Sequence, residues 1–86
     1  MPELARFYGI VIAMYYKDHL PPHFHARYGG SAVEIAIQSL SILAGNIPPR
    51  APGLVMEWAV MHQDELAEDW ELARRNAELK DIEPLG

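Results

Sequence analysis

Residues 18–30, DHLPPHFHARYGG, hold three of the four histidines in the chain. His23 and His25 are two apart. In an extended strand, side chains two apart leave the same face, here about 7 Å apart at Cα. Two imidazoles so placed can converge on one ion. His19, in the preceding Pro-rich loop, offers a third ligand, and Glu34 a fourth. Three imidazoles and a carboxylate suit zinc, nickel, manganese or ferrous iron, so the cofactor this set implies is a divalent metal. The same residues also support metal-free chemistry. A histidine titrates near pH 6.5 and can act as acid or base close to neutrality. His23, His25 and Arg27 would then be a catalytic set of base, acid and phosphate-holding cation, joined by Tyr15 if it shares their side. A structural role is open too: His25 and Glu34 as a cross-strand polar pair, His19 and His23 bracketing a turn, Arg27 at a sheet edge. No nucleophile motif or phosphate-cradling glycine loop accompanies them.

A second cluster, His62, Glu65 and Asp69, falls on one helix face at i, i+3 and i+7. A histidine inside an apolar stripe is usually a packed core group. Glu65, Asp69 and Trp70 therefore read as an interaction surface instead, an acidic face with an aromatic anchor.

These residues need a scaffold. Residues 6–16, RFYGIVIAMYY, are aromatic and β-branched and predict one strand with no polar face. KDHLPP ends it, because proline cannot donate to a ladder. HFHARY (23–28) and SAVEIAI (31–37) alternate on either side of Gly29-Gly30, which predicts a tight hairpin. Its register opposes Tyr28 to Ser31, Arg27 to Ala32, Ala26 to Val33, His25 to Glu34, Phe24 to Ile35 and His23 to Ala36. Phe24, Ala26, Val33, Ile35 and Ile37 then share a core face, and His23, His25, Arg27 and Glu34 the other.

Residues 40–47 predict a fourth strand with a bend near Gly45-Asn46. From 49 to 76 the apolar spacing is helical, through Leu54, Val55, Trp58, His62, Leu66 and Ala73. Such a helix is about 40 Å long against about 25 Å for the strands, so its second half must overhang, bend or pack elsewhere. Glu65 and Asp69 in the stripe suit an overhang. The tail, 77–86, carries Leu79, Ile82 and Leu85, which can pin it back. The expected fold is α+β, a single domain over 1–86: an antiparallel four-stranded β-meander with one long C-terminal amphipathic helix packed on one face.

Composition narrows the function classes. Twelve acids against seven Lys and Arg give a net charge of −5. The basic residues are scattered, which disfavours nucleic-acid binding by this chain alone. The absence of cysteine excludes disulfides and thiolate metal sites and suits a reducing compartment. No apolar run approaches the roughly 20 residues of a membrane span, and no signal pattern opens the chain. The expected setting is the cytoplasm, without a membrane partner. An 86-residue domain buries only roughly 60–65% of its unfolded surface, so a homo-oligomer or a partner protein is expected.

RFYGIVIAMYYKDHLPPHFHARYGG, then VEIAI, MEWAVMHQDELAEDWELAR and IEPL, resemble the small bacterial family 4160 of the domain-of-unknown-function series. The signature residues are Asp18, His19, Pro21, Pro22, His23, Phe24, His25, Ala26, Tyr28 and Gly29. The resemblance implies no established activity. It does imply a small partner protein encoded nearby, from family 2442 of the same series, in a two-gene, toxin–antitoxin-like module. Two functions from different classes follow. One is a protein-interaction component of such a module. The other is a histidine-based hydrolase, ribonuclease-like or metal-assisted, that uses His23 and His25.

Overall fold

The computed structural model describes residues 2–86. Five strands form one antiparallel sheet in chain order, so every strand pairs with its sequence neighbours. They are β1 (Glu3–Phe7), β2 (Ile10–Ala13), β3 (His23–Tyr28), β4 (Ser31–Ala36) and β5 (Ile42–Asn46). Two helices follow, α1 (Arg50–Met61) and α2 (Gln63–Arg74). The class is α+β with an antiparallel sheet, as the sequence predicts, but both long elements are divided.

The single strand expected over 6–16 is a hairpin. Phe7 pairs with Ile10 across a two-residue turn at Tyr8 and Gly9. Both turn residues have positive φ, 49° and 81°, which matches a type I′ turn. Gly9 adopts this freely, and a Cβ there would lie 3.3 Å from the Tyr28 ring. Tyr8, a strand-favouring residue, masks the turn in the sequence.

The β3–β4 hairpin has the predicted register at all six pairs, including His25 opposite Glu34. Of its two glycines only Gly29 has positive φ, 62°, as in a type II′ turn. One sheet face, through Ile10, Ile12, Phe24, Ala26, Val33 and Ile35, is buried. Ala51, Val55, Trp58, Ala59, Leu66, Trp70 and Ala73 of the helices join it in one core. Trp58 lies at its centre, 5.6 Å from the Phe7 ring and 6.1 Å from the Phe24 ring. Its Nε1–H donates to the Glu83 carbonyl at 2.8 Å, which fastens the tail.

The one helix expected over 49–76 breaks at His62, whose φ is −128°. Gln63 ties the break to the sheet, its amide donating to the carbonyls of Ile37 and Gln38. Asp64 and Glu65 then fall in the first turn of α2, where carboxylates suit the helix dipole. The break lets α2 return to the body, so nothing overhangs. Asp69 is wholly buried and Trp70 is 3% exposed. The expected docking surface of Glu65, Asp69 and Trp70 is therefore corrected: two of its three members lie inside the fold.

Candidate metal centre

The more open sheet face carries the histidines, with Trp70 of α2 reaching His23 at one end. His23 begins β3 and His25 follows on the same face. Glu34 faces His25 from β4. A bulge between Glu34 and Ile35, where β4 meets β5, sits beside that carboxylate; bulges commonly redirect neighbouring side chains. The connection from β2 to β3 folds over the start of β3 and brings Asp18 and His19. It contains a cis Leu20–Pro21 peptide.

Five side chains meet there. The Asp18 Oδ2 atom lies 3.0 Å from His23 Nε2 and 3.1 Å from His25 Nε2. The other Asp18 oxygen accepts the His19 backbone N–H at 2.8 Å. Glu34 Oε1 stands 3.7 Å from the Nε2 atoms of both His19 and His23. The His19 and His23 rings stack, with centroids 4.7 Å apart. Two triads, Asp18–His23–His25 and His19–His23–Glu34, each bring three ligand atoms within 4.8 Å of one another. Both need His23 Nε2, which has one lone pair, so the pocket suits one ion rather than two.

The surroundings fix His23. Its ring is fully buried, and Trp70 of α2 lies 5.3 Å from it. Its Nδ1 lies 2.7 Å from the Pro21 carbonyl oxygen. A carbonyl only accepts, so Nδ1 carries a proton, and in the neutral ring Nε2 turns its lone pair toward the carboxylates. That lone pair cannot bond to Asp18 Oδ2 directly. Either a second proton on a buried ring or a cation must stand between them. A cation also accounts for the further imidazoles and the second carboxylate. Ligand atoms about 2.1 Å from one ion stand about 3.0 Å apart at right angles, matching both contacts of Asp18. The Pro21 carbonyl is the kind of outer partner that orients a ligating histidine.

Burial pushes the Asp18 carboxyl up. Bonds from His25 and the His19 backbone, with the contribution of the His23 ring, outweigh that and hold it below the usual carboxylate range. It is ionised at neutral pH, as a ligand must be.

All four sequence-derived metal ligands, His19, His23, His25 and Glu34, are brought together. His23 and His25 are the inner pair, and His19, 64% exposed, stands at the rim. Asp18, the fifth member of the cluster, is not among the ligands the sequence offers. Its signal was an acid next to His19 in a loop that the prolines return onto the strand it left. Tyr15 does meet the cluster, its ring edge-on to His25 at 4.4 Å. Arg27 shares the open face but is exposed and contributes no ligand atom to either triad. The His62 cluster divides. His62 packs on Trp58 and bonds Glu65 at 2.5 Å, while Asp69 accepts the Lys80 backbone N–H.

Among protein families, the model described as "Domain of unknown function (DUF4160)" matches residues 9–71, a span that contains all five cluster residues. No curated protein and no solved structure matches the chain. No helix among the described residues is long and apolar enough to cross a membrane.

Proposed function

The chain belongs to the DUF4160 family, and we propose that it is a metal-binding protein whose centre holds one divalent transition ion. Asp18, His23 and His25 are the inner ligands, and His19 and Glu34 border the ion from the solvent side. The observation that carries this is the buried His23 ring held between two acceptors, the Pro21 carbonyl 2.7 Å from Nδ1 and Asp18 Oδ2 3.0 Å from Nε2, with two further imidazoles and a second carboxylate beside it. Mixed imidazole and carboxylate donors favour zinc, manganese, ferrous iron, cobalt or nickel over calcium and magnesium. The test is calorimetric titration of tag-free protein with zinc. One equivalent bound, with Asp18→Asn and His23→Ala each weakening it at least about tenfold, supports the assignment.

A second reading, a protein-interaction component of a cytoplasmic two-gene, toxin–antitoxin-like module, is favoured by β5. Every residue of that edge strand is exposed, Ile42 at 51% and Leu43 at 42%. Residues 38–49 hold no charge, whereas exposed edges are commonly guarded by lysine or by charges pointing inward. Co-expression with the product of the neighbouring gene tests it. A stoichiometric complex lost in Leu43→Lys supports docking at β5, and a complex indifferent to that change removes β5 from the account.

A further inference from the structure

The metal centre opens to one side. A cleft of about 110 Å³ adjoins it, lined by His25, Ala32, Val33, Glu34, Ala44 and Gly45. Its walls are β4 and β5 apart from His25, so it lies on the flank of the centre away from Asp18 and the β2–β3 connection. It has room for several waters. Glu34 belongs both to this cleft and to the ligand cluster.

Arg27 neighbours the cleft in the sheet. It pairs across the sheet with Ala32, which lines the cleft, and shares the face of His25 two residues away. It forms no salt bridge among the described residues, and its charge also reaches Glu3 of β1. With a divalent ion bound, the ion and Arg27 would outweigh the carboxylates of Asp18 and Glu34 by one unit, and the cleft would be locally positive in a chain of net charge −5. Such a combination, a metal with a free coordination position and a guanidinium beside it, recognises tetrahedral oxyanions.

We infer that the centre keeps an exchangeable position over this cleft and takes a phosphoryl group there, held by the ion and by Arg27. The inference rests on the metal assignment above. Asp18, His23 and His25 hold the ion on its inner side. Water fills the exchangeable position otherwise, with Glu34 placed to accept a hydrogen bond from it. The phosphoryl group displaces that water, and its oxygens accept from the guanidinium.

Cobalt(II)-loaded protein gives a direct test, because visible absorption reports a change of ligand at the ion. Inorganic phosphate and phenyl phosphate are titrated separately into wild type and Arg27→Ala. The expected result is a saturable spectral change in wild type that needs about tenfold more anion in Arg27→Ala, with cobalt uptake equal in both. Tighter binding of phenyl phosphate identifies an ester as the occupant, and equal binding identifies the free anion. Stoichiometric cobalt with a spectrum unmoved by either anion overturns the exchangeable position and leaves the metal assignment standing. A chain that takes up no cobalt overturns both.

Discussion

His23 Nε2 lies 3.0 Å from the Asp18 Oδ2 atom while the Nδ1 of the same ring is committed to the Pro21 carbonyl. The relationship joins a loop residue to a buried strand residue and sets the ring between two acceptors. The Nε2 side, facing a carboxylate, calls for a cation or a second proton. The β2–β3 connection supplies both the carboxylate and the carbonyl, so one segment fixes the ring and completes its ligand set.

Metal should stabilise the fold. An ion that binds only the folded state at about 100 times its Kd adds about 2.7 kcal/mol, and a domain of this size gains about 4–8 °C per kcal/mol. Thermal unfolding with and without a hundredfold-Kd excess of free zinc should differ by about 10–20 °C. His25→Ala, which removes an inner ligand at the partly exposed end of the cluster, should lose most of that difference. A metal-free melting point close to wild type in the same variant separates lost binding from lost folding.

Trp70 should report the ion. Its ring lies 5.3 Å from His23, whereas Trp58 contacts Phe7, Phe24 and His62 instead. Binding at His23 should therefore change the emission of Trp70 and leave that of Trp58 unmoved. The measurement compares wild type with Trp70→Phe under metal titration. A response that persists in Trp70→Phe would place the ion elsewhere.

Asp69 should make the fold less stable as pH rises. Its side chain is fully buried, with Oδ1 accepting the Lys80 backbone N–H and Oδ2 without a partner among the described residues. Burial raises its carboxyl above the usual range, and Glu68 and Asp81 add to this against the Lys80 contacts. A raised folded pKa means that the native state holds the proton longer. The resulting stability is complete below the unfolded pKa near 3.9 and is lost as pH rises through the folded value. Asp69→Asn keeps an oxygen for Lys80 and cannot ionise. Its melting temperature should change less than that of wild type between pH 4 and pH 7, and should be the higher of the two at pH 7.

Gly45 should be irreplaceable. Its φ is 75°, and a Cβ there would lie 2.4 Å from the Ala32 backbone oxygen. Gly45→Ala must shift β5 away from β4, at a cost of about 1–3 kcal/mol for the strained backbone alone. Hydrogen exchange should show faster loss of protection along β5 than along β2. Unchanged protection of β5 would contradict the close approach.

The β3–β4 hairpin was fully legible because alternation and a two-glycine turn fix register locally. Hence His25 opposite Glu34 could be read from residues 23–37 alone. The first hairpin was hidden because a type I′ turn is built here from Tyr-Gly, and tyrosine reads as strand. The division at His62 left a weak mark, Asp64 and Glu65 at a new helix start, but the apolar stripe runs through it from Trp58 to Leu66. The burial of Asp69 and Trp70 depends on α2 turning back and on the tail that covers it. Asp18 could not be assigned from spacing, because the path of the loop after Lys17 decides where its carboxylate falls. His19, His23, His25 and Glu34 were legible as a set because strand periodicity places three of them.

The most direct test of the metal centre is a zinc titration of uniformly labelled, tag-free protein, followed by calorimetry and by imidazole nitrogen shifts. The account predicts one ion per chain with submicromolar affinity. It also predicts metal-type shifts at Nε2 of His23 and His25, with Nδ1 of His23 still protonated, and at least tenfold weaker binding in Asp18→Asn. Weak binding that is indifferent to Asp18→Asn, with the histidines responding separately, would contradict it and leave the cluster a hydrogen-bonded closure of the β2–β3 loop.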